Sequence, residues 1–480
     1  MRKRLLSVTA ALVLTLTTVL SGFLVEAAPV VIPEVDQARL AEVLYEGLIS
    51  CEETISVSEF NIPYDPAMGA NDAGAVLLNE IVFSFDDVFY IESFQMSARG
   101  SGSGYIISSI MPTYTDTSEN CVAKRTAAIQ AANEMIADLG ELTDLQVALV
   151  LHDRLAQTVE YDMESAANNA PVGSDCYTMY GALVNHLAVC EGYTAAYAYM
   201  LDQFDIANRK CRSVALNHVW NIITIGGTEY HVDVTHDDPM VNGLDRLGLV
   251  WHKNFLRSSA GIYSTTHAAN DYDATPDDTT YDSYFWQDID SAFQYLDGSF
   301  YYIDNHAAQL RRWTGGESSE TMLALPDRWN AGAGYYSGCY AKLAADGKTL
   351  IYHDDATIYR YHTADGETTV LCTPELEDDS AIYGLRVRGR ELDYAVDTNP
   401  YGAGPIVKTY ILRRIADGNG DGDVTDADRM LLSRYLADWD VEIDLSLMDI
   451  NGDGAVTAID RAILARYLAQ WGEPYNSYFD

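Results

Sequence analysis

Near the C-terminus a twelve-residue pattern occurs twice, and few folds accommodate it. Asp417-Gly418-Asn419-Gly420-Asp421-Gly422-Asp423-Val424-Thr425-Asp426-Ala427-Asp428 returns 32 residues later as Asp449-Ile450-Asn451-Gly452-Asp453-Gly454-Ala455-Val456-Thr457-Ala458-Ile459-Asp460. Each copy places side-chain oxygens at positions 1, 3, 5 and 12, glycine at position 6, and a backbone carbonyl at position 7. So many oxygens converge only around a hard cation such as calcium, and the glycine permits the sharp turn. The expected ligands are Asp417, Asn419, Asp421, Asp423 and Asp428 in one loop, and Asp449, Asn451, Asp453, Ala455 and Asp460 in the other. Asp at position 12 is shorter than the Glu usual there, so each loop must close more tightly. The residues that follow match at the same offset: Arg429/Arg461, Leu432/Leu464, Arg434/Arg466, Tyr435/Tyr467, Leu436/Leu468 and Trp439/Trp471. One acidic turn is easily a solvated loop; two in register with matched helices are not.

These loops are EF-hand-like, and about residues 415–472 resemble the type I dockerin module of cellulosomal proteins. The resemblance implies a small all-α domain, set at 414–475, that binds two calcium ions and docks onto a cohesin module of a scaffoldin. In that family loop positions 10 and 11 help choose the cohesin. Here they are Asp426 and Ala427 in one half and Ala458 and Ile459 in the other, and the clostridial Ser-Thr pair is absent.

A second informative stretch runs from Cys190 to Asp233. Cys190 stands just before Gly192 to Phe204, whose apolar spacing is that of a helix. Ser213–Ile225 and Thr228–Val234 are expected as strands joined at Gly226-Gly227, a strong hairpin signal. Period two puts His218, Trp220 and Ile222 on one face, and His231 and Asp233 on one face of the partner strand. The hairpin then sets His218 beside Asp233, with the helix start facing them. A thiol, an imidazole and a carboxylate so arranged suit acyl transfer through a thioester. Cys190 is the expected nucleophile, His218 its base and Asp233 the group that orients the imidazole. The Cys190 amide, with Tyr177 or Tyr180, is a candidate oxyanion donor; Trp220 is either core or site-lining, and His231 is read as structural.

Tyr180-Gly181-Ala182-Leu183, Val189-Cys190-Glu191-Gly192-Tyr193, His218-Val219-Trp220-Asn221 and Tyr230-His231-Val232-Asp233-Val234-Thr235, with Tyr161-Asp162 upstream, resemble the bacterial transglutaminase-like superfamily. The resemblance implies an α+β papain/transglutaminase-like catalytic domain. It leaves the reaction open, because the superfamily includes transglutaminases, peptidases, amidases and inactive members. His236 stands where relatives often carry Trp.

The N-terminus has the form of an export signal, residues 1–27. Met1-Arg2-Lys3-Arg4 precedes an uncharged run from Leu5 to Val25, and Val25-Glu26-Ala27 supplies small residues for cleavage. The expected mature chain is secreted, with no membrane segment. A formal charge of −41 repels phosphates and argues against a nucleic-acid partner. Seven cysteines permit disulfides plus one free thiol, but spacing does not pair them.

The expected organisation is multidomain. Residues 28–170 form an N-terminal α/β part, with helices at Arg39–Ile49, Glu119–Leu139 and Thr143–Val159 and β-rich stretches at Ile81–Phe94 and Tyr105–Ile110. Residues 171–290 form the catalytic core. Residues 291–413 form a β-repeat, propeller-like region, with turns at Asp297-Gly298, Asp346-Gly347 and Gly389. The functional expectation is a secreted, cellulosome-associated cysteine enzyme that cleaves or transamidates peptide or side-chain amides, without a cofactor for catalysis. Its substrate would be a protein or peptide. The alternative is a non-catalytic cellulosomal module whose aromatic β-repeats, with Trp286, Trp313 and Trp329, bind polysaccharide, such as that of the plant cell wall, or a cell surface. No paired-carboxylate motif supports a glycoside hydrolase.

Overall fold

The computed structural model describes residues 35–472, apart from 103, 172, 270, 317, 332–333, 413, 420–423 and 442. The export signal and the loop residues Asp421 and Asp423 therefore lie outside the described residues. The chain forms two compact units, residues 1–239 with 252–288, and 240–251 with 289–480. Together they hold helices and many antiparallel sheets, and among the described residues no sheet closes into a barrel.

In the first unit, side chains set most helix starts. Helix α1 (Gln37–Ile49) begins at Asp36, whose carboxylate accepts the Arg39 amide. Helix α2 (Ala73–Val82) begins at Asp72, which accepts the Gly74 and Ala75 amides. Ile81 and Val82, expected in an extended stretch, instead end α2. The cap and the shared burial of Leu77, Leu78 and Ile81 override their strand preference. Strands β1 (Ile91–Ser101) and β2 (Gly104–Tyr114) form a long hairpin. Helix α3 (Ser118–Ile136) follows the Thr117 cap, and helix α4 (Asp144–Thr158) starts with a Thr143/Gln146 capping box.

Helix α5 (Cys190–Asp202) starts one turn's edge earlier than its apolar spacing suggests, so Cys190 is its first residue. Gly192 makes this possible. A Cβ there would lie 2.7 Å from both the Ala188 Cβ and the Cys176 carbonyl oxygen. Next comes a three-stranded antiparallel sheet: β3 (Asn208–Ser213), β4 (His218–Ile225) and β5 (Thr228–Val232), in that order. The single strand expected from Ser213 is interrupted. Asn217, at φ 48°, turns the chain so that β3 pairs back on β4, Ser213 opposite His218. Gly226 and Gly227, both at positive φ, close the β4–β5 hairpin in the register Ile222↔His231.

In the second unit the strands form antiparallel meanders. The first has β6 (Gln294–Leu296), β7 (Ser299–Asp304), β8 (Gln309–Trp313) and β9 (Ser319–Ala324). The second has β10 (Leu343–Asp346), β11 (Thr349–His353), β12 (Ile358–His362) and β13 (Thr368–Cys372). The third has β14 (Ala381–Arg388), β15 (Glu391–Asp397) and β16 (Ile406–Ile411). Residues 240–251, placed from sequence in the 171–290 core, belong to this unit: the Leu385 amide donates to the Leu247 carbonyl, and Arg386 pairs with Asp245. Helices α6 (Asp426–Tyr435) and α7 (Ala458–Leu468) pack around Leu432, Met448, Ile463 and Leu464.

The tryptophans expected to meet polysaccharide are buried. Trp313 donates to the Gly316 carbonyl and Trp329 to the Ile382 carbonyl, each inside a strand core. Trp286, in the first unit, is enclosed by Phe255, Tyr281 and Tyr284. The burial of all three rings leaves them no face for a glycan. All seven cysteines are free thiols.

Gly192→Ala is expected to lower the stability of the first unit by about 1–3 kcal/mol, because backbone rather than a flexible side chain meets the new methyl. Urea unfolding followed by tryptophan fluorescence measures this; an unchanged midpoint would contradict the close approach.

Candidate functional site

The approach to Cys190 is held from two sides. Tyr161 and Ala188 pair in a short parallel bridge, the Asp162 amide donates to the Ala188 carbonyl, and the Val189 amide donates to the Cys176 carbonyl. Cys190 thus opens α5 half-buried, at a helix end whose first amides have no intrahelical partner. Thr194 fixes the helix to the sheet: its hydroxyl donates to the Cys190 and Val219 carbonyls, and Asn221 Nδ2 donates to the Thr194 carbonyl.

His218 opens β4, and Asp233 follows the last residue of β5 and caps a short helix, Val234–Asp237. His218 Nε2 lies 2.7 Å from Asp233 Oδ2, which leaves Nδ1 as the ring nitrogen not engaged by the carboxylate. Burial disfavours the imidazolium, but the Asp233 carboxylate and Cys190 outweigh it and raise the His218 pKa to about 10. Burial likewise opposes the Asp233 charge, yet His218 and His236 hold its pKa well below the usual carboxylate range.

Two further imidazoles reach the same oxygen. His236 Nδ1 lies 2.6 Å and His267 Nε2 2.7 Å from Asp233 Oδ2, and the His236 amide donates to Oδ1. The sequence signal for His236 is its i, i+3 spacing from Asp233 at a helix start. His267 carries no such signal, since it arrives from a loop 34 residues away.

Trp220 is fully buried, yet it also stacks on the His218 ring at 5.5 Å between centroids. Its Nε1 donates to His231 Nδ1, and His231 Nε2 lies 2.9 Å from Ser259 Oγ. Burial, with nearby His267, drops the His231 pKa to about 3, so this ring is neutral and structural. Tyr177 donates its hydroxyl to the Ala170 carbonyl, and Tyr180 packs against Phe89 with Lys124 over its ring. Among the described residues, neither hydroxyl is hydrogen-bonded to Cys190.

The C-terminal loops are built alike. Asp428 Oδ1 accepts the Gly418 and Asn419 amides at 2.9 and 3.3 Å, and its Oδ2 accepts the Thr425 amide. Asp460 repeats this on Ile450, Asn451 and Thr457. In the second loop the Asp453 and Gly454 amides wrap Asp449. In the first, Asp417 is fully buried; Arg390 reaches Oδ2, while Oδ1 has no hydrogen-bond partner. A buried carboxylate oxygen without a donor fits an ion centred in the loop. Asn451 Nδ2 donates to Asp453 Oδ2 and its Oδ1 accepts the Asp453 amide, while the Ala455 amide donates to Asp453 Oδ1. Asp426, Ala427, Ala458 and Ile459 open the two helices and are exposed.

Residues 415–469 match the family described as Dockerin type I domain, and this C-terminal segment is a type I dockerin. Such a domain implies a cohesin partner and attachment to a cellulosome, an extracellular assembly, and type I dockerins generally bind calcium. No curated protein matches the chain. Among solved structures, one titled "Crystal structure of a TGase" aligns with 12% identity over 29% of this chain and 44% of that one, at a TM-score of 0.22.

The His218 pKa sets a pH dependence. A histidine raised from about 6.5 to about 10 adds stability that is complete below about 6.5 and is lost as pH rises through about 10. The thermal midpoint of the intact chain should therefore exceed that of His218→Gln most near pH 6, and the gap should close toward pH 10. A gap that widens with pH would contradict the ion pair. Chelation by EGTA is expected to release the protein from immobilised cohesin and reduce its helical circular dichroism; retention in chelator would contradict calcium-dependent docking.

Proposed function

We propose that the chain is a transglutaminase-like cysteine enzyme that its dockerin carries onto an extracellular cellulosome. The observation that carries this is the buried His218 Nε2–Asp233 contact, with Cys190 near enough to help raise the His218 pKa; we read the other ring nitrogen as the one that serves the thiol. In support, α5 packs on the β3–β5 sheet, where we place the catalytic core; the second unit is built of antiparallel meanders, which we leave without a role in the chemistry.

The proposed chemistry follows from those positions. His218 Nδ1 takes the Cys190 proton, and the sulfur attacks an amide carbonyl carbon. The carbonyl oxygen gains negative charge, for which the Cys190 amide at the open helix end is our donor. The C–N bond breaks as His218 returns its proton to the leaving amine, giving a thioester. Water, deprotonated by His218, then attacks the thioester, frees a carboxylic acid and restores the thiol. An amine in place of water would complete transamidation; we favour water, because no feature marks an amine site. Asp233 keeps the imidazole oriented and offsets its charge throughout.

Asp417, Asn419, Asp421, Asp423 and Asp428 are our ligand set for one calcium ion. Asp449, Asn451, Asp453, the Ala455 carbonyl and Asp460 are our set for the other. The ions would hold the loops folded and so present Asp426, Ala427, Ala458 and Ile459 to the cohesin.

Cys190→Ala is expected to abolish iodoacetamide labelling at position 190 and to cut amide turnover by at least about a thousandfold. A panel of peptide amides, with and without an added primary amine, reads both outcomes. Undiminished turnover in the Ala variant would sink the proposal.

A further inference from the structure

We propose that His218, Asp233, His236 and His267 form a site for one transition-metal dication, zinc by its chemistry, and that the ion switches off the Cys190 thiol.

Convergence is the first argument. Three imidazole nitrogens lie 2.6–2.7 Å from the single oxygen Asp233 Oδ2. One ligating atom from each of the four residues falls within 4.8 Å of the others. Three ring N–H groups exceed the two lone pairs of one carboxylate oxygen. A small shift of the carboxylate lets a dication take the focal point, with nitrogens at about 2.0–2.1 Å and oxygen at about 2.0–2.2 Å in a tetrahedron.

Donor chemistry is the second. Imidazoles with one carboxylate suit zinc, and its neighbours cobalt, nickel and copper, whereas calcium and magnesium take mainly oxygen. The cluster is thus chemically distinct from the oxygen-lined dockerin loops.

Preorganisation and access are the third. The far nitrogen of His267 lies 3.2 Å from Thr265 Oγ1, and that hydroxyl donates to Asn254 Oδ1 at 2.8 Å. Metal-bound histidines are held by outer contacts of this kind. Asp233 and His267 are buried and His218 nearly so, but the His236 side chain is 37% exposed. His236 gives the ion a route from solvent.

The effect on the thiol rests on the function proposed above; the metal site itself does not. An imidazole coordinated through Nε2 keeps its one proton on Nδ1. It then has no lone pair for the Cys190 proton, and the acid–base step stops. Removal of the ion returns His218 Nε2 to Asp233.

The test uses the full chain, reduced and saturated with calcium so that the dockerin loops are filled. Cobalt(II) serves as the coloured probe and zinc as its competitor. One equivalent of tetrahedral cobalt, displaced by zinc and retained in Cys190→Ser, is expected. His236→Ala should weaken binding by at least about tenfold, and Thr265→Val by about tenfold. Cobalt lost in Cys190→Ser, unaffected by His236→Ala, or showing sulfur-to-metal charge transfer would overturn the site. Because His236 is partly exposed, its Ala variant should fold, which circular dichroism checks; His236→Gln serves as the second variant. Zinc should slow iodoacetamide labelling of Cys190, mapped by mass, at least about tenfold in the parent chain and less in His236→Ala. Equal slowing in both would overturn the switch. Cobalt binding needs no amide turnover, so it separates failure of the site from failure of the enzymatic proposal.

Discussion

Asp233 is 1% exposed, and its charge survives burial because ring and amide donors surround it. An isolated carboxylate at that depth would take up a proton instead. Removing it would leave three imidazoles facing one another, with ring centroids 4.4 Å apart for His218–His236 and 4.7 Å for His236–His267. Breaking one side of a buried charge pair costs about 3–5 kcal/mol. The start of β4, the end of β5 and the His267 loop are therefore tied to one side chain, and the orientation of the His218 ring depends on it.

What was legible in the sequence had local causes. A helix start, a two-residue turn and the period of a strand are encoded within a few residues. They suffice to bring His218 and Asp233 together, since the hairpin register Ile222↔His231 leaves little freedom. His267 was not legible, because only tertiary packing brings its loop over the sheet. Residues 240–251 join the second unit through long-range pairs such as Leu385 with Leu247, which no local pattern records. Trp313 and Trp329 were misassigned for a related reason. Aromatic strand residues suit a binding face and a buried face equally, and only the packing of neighbouring elements decides.

In the dockerin, the short Asp at position 12 works because it also caps the helix. Asp428 and Asp460 each reach back to two amides of their own loop and close a capping box with Thr425 or Thr457. The helix start is thereby drawn against the loop, and the extra methylene of Glu is not needed. The halves stay alike beyond the loops, with Arg434 over Trp439 at 5.8 Å and Arg466 over Trp471 at 5.6 Å. Their exposed helix openings differ: one presents a carboxylate at Asp426, the other an apolar side chain at Ile459. Two nearly equal frameworks thus carry two chemically different faces.

Below the Cys190 site lies a second buried group of charges, joined to the first by the short helix Val234–Asp237. His152 lies 2.7 Å from Asp153 and 3.2 Å from Asp237, and His252 lies 3.0 Å from Asp153. Burial opposes the His152 charge, but both carboxylates override it and raise its pKa to about 9. Burial prevails at Asp237, whose pKa rises, while the two histidines outweigh it at Asp153, whose pKa falls. Asp237 also accepts the Asn254 amide and side chain, Asn254 accepts Thr265, and Thr265 meets His267. The helix that Asp233 caps is therefore anchored at its far end by Asp237, and the loop that brings His267 is anchored by the same carboxylate. Such a network is costly to desolvate and contributes little net stability. It resists small displacements, because each member has partners on several elements. A site whose nitrogens must meet one oxygen within a few tenths of an ångström needs that rigidity more than it needs added stability.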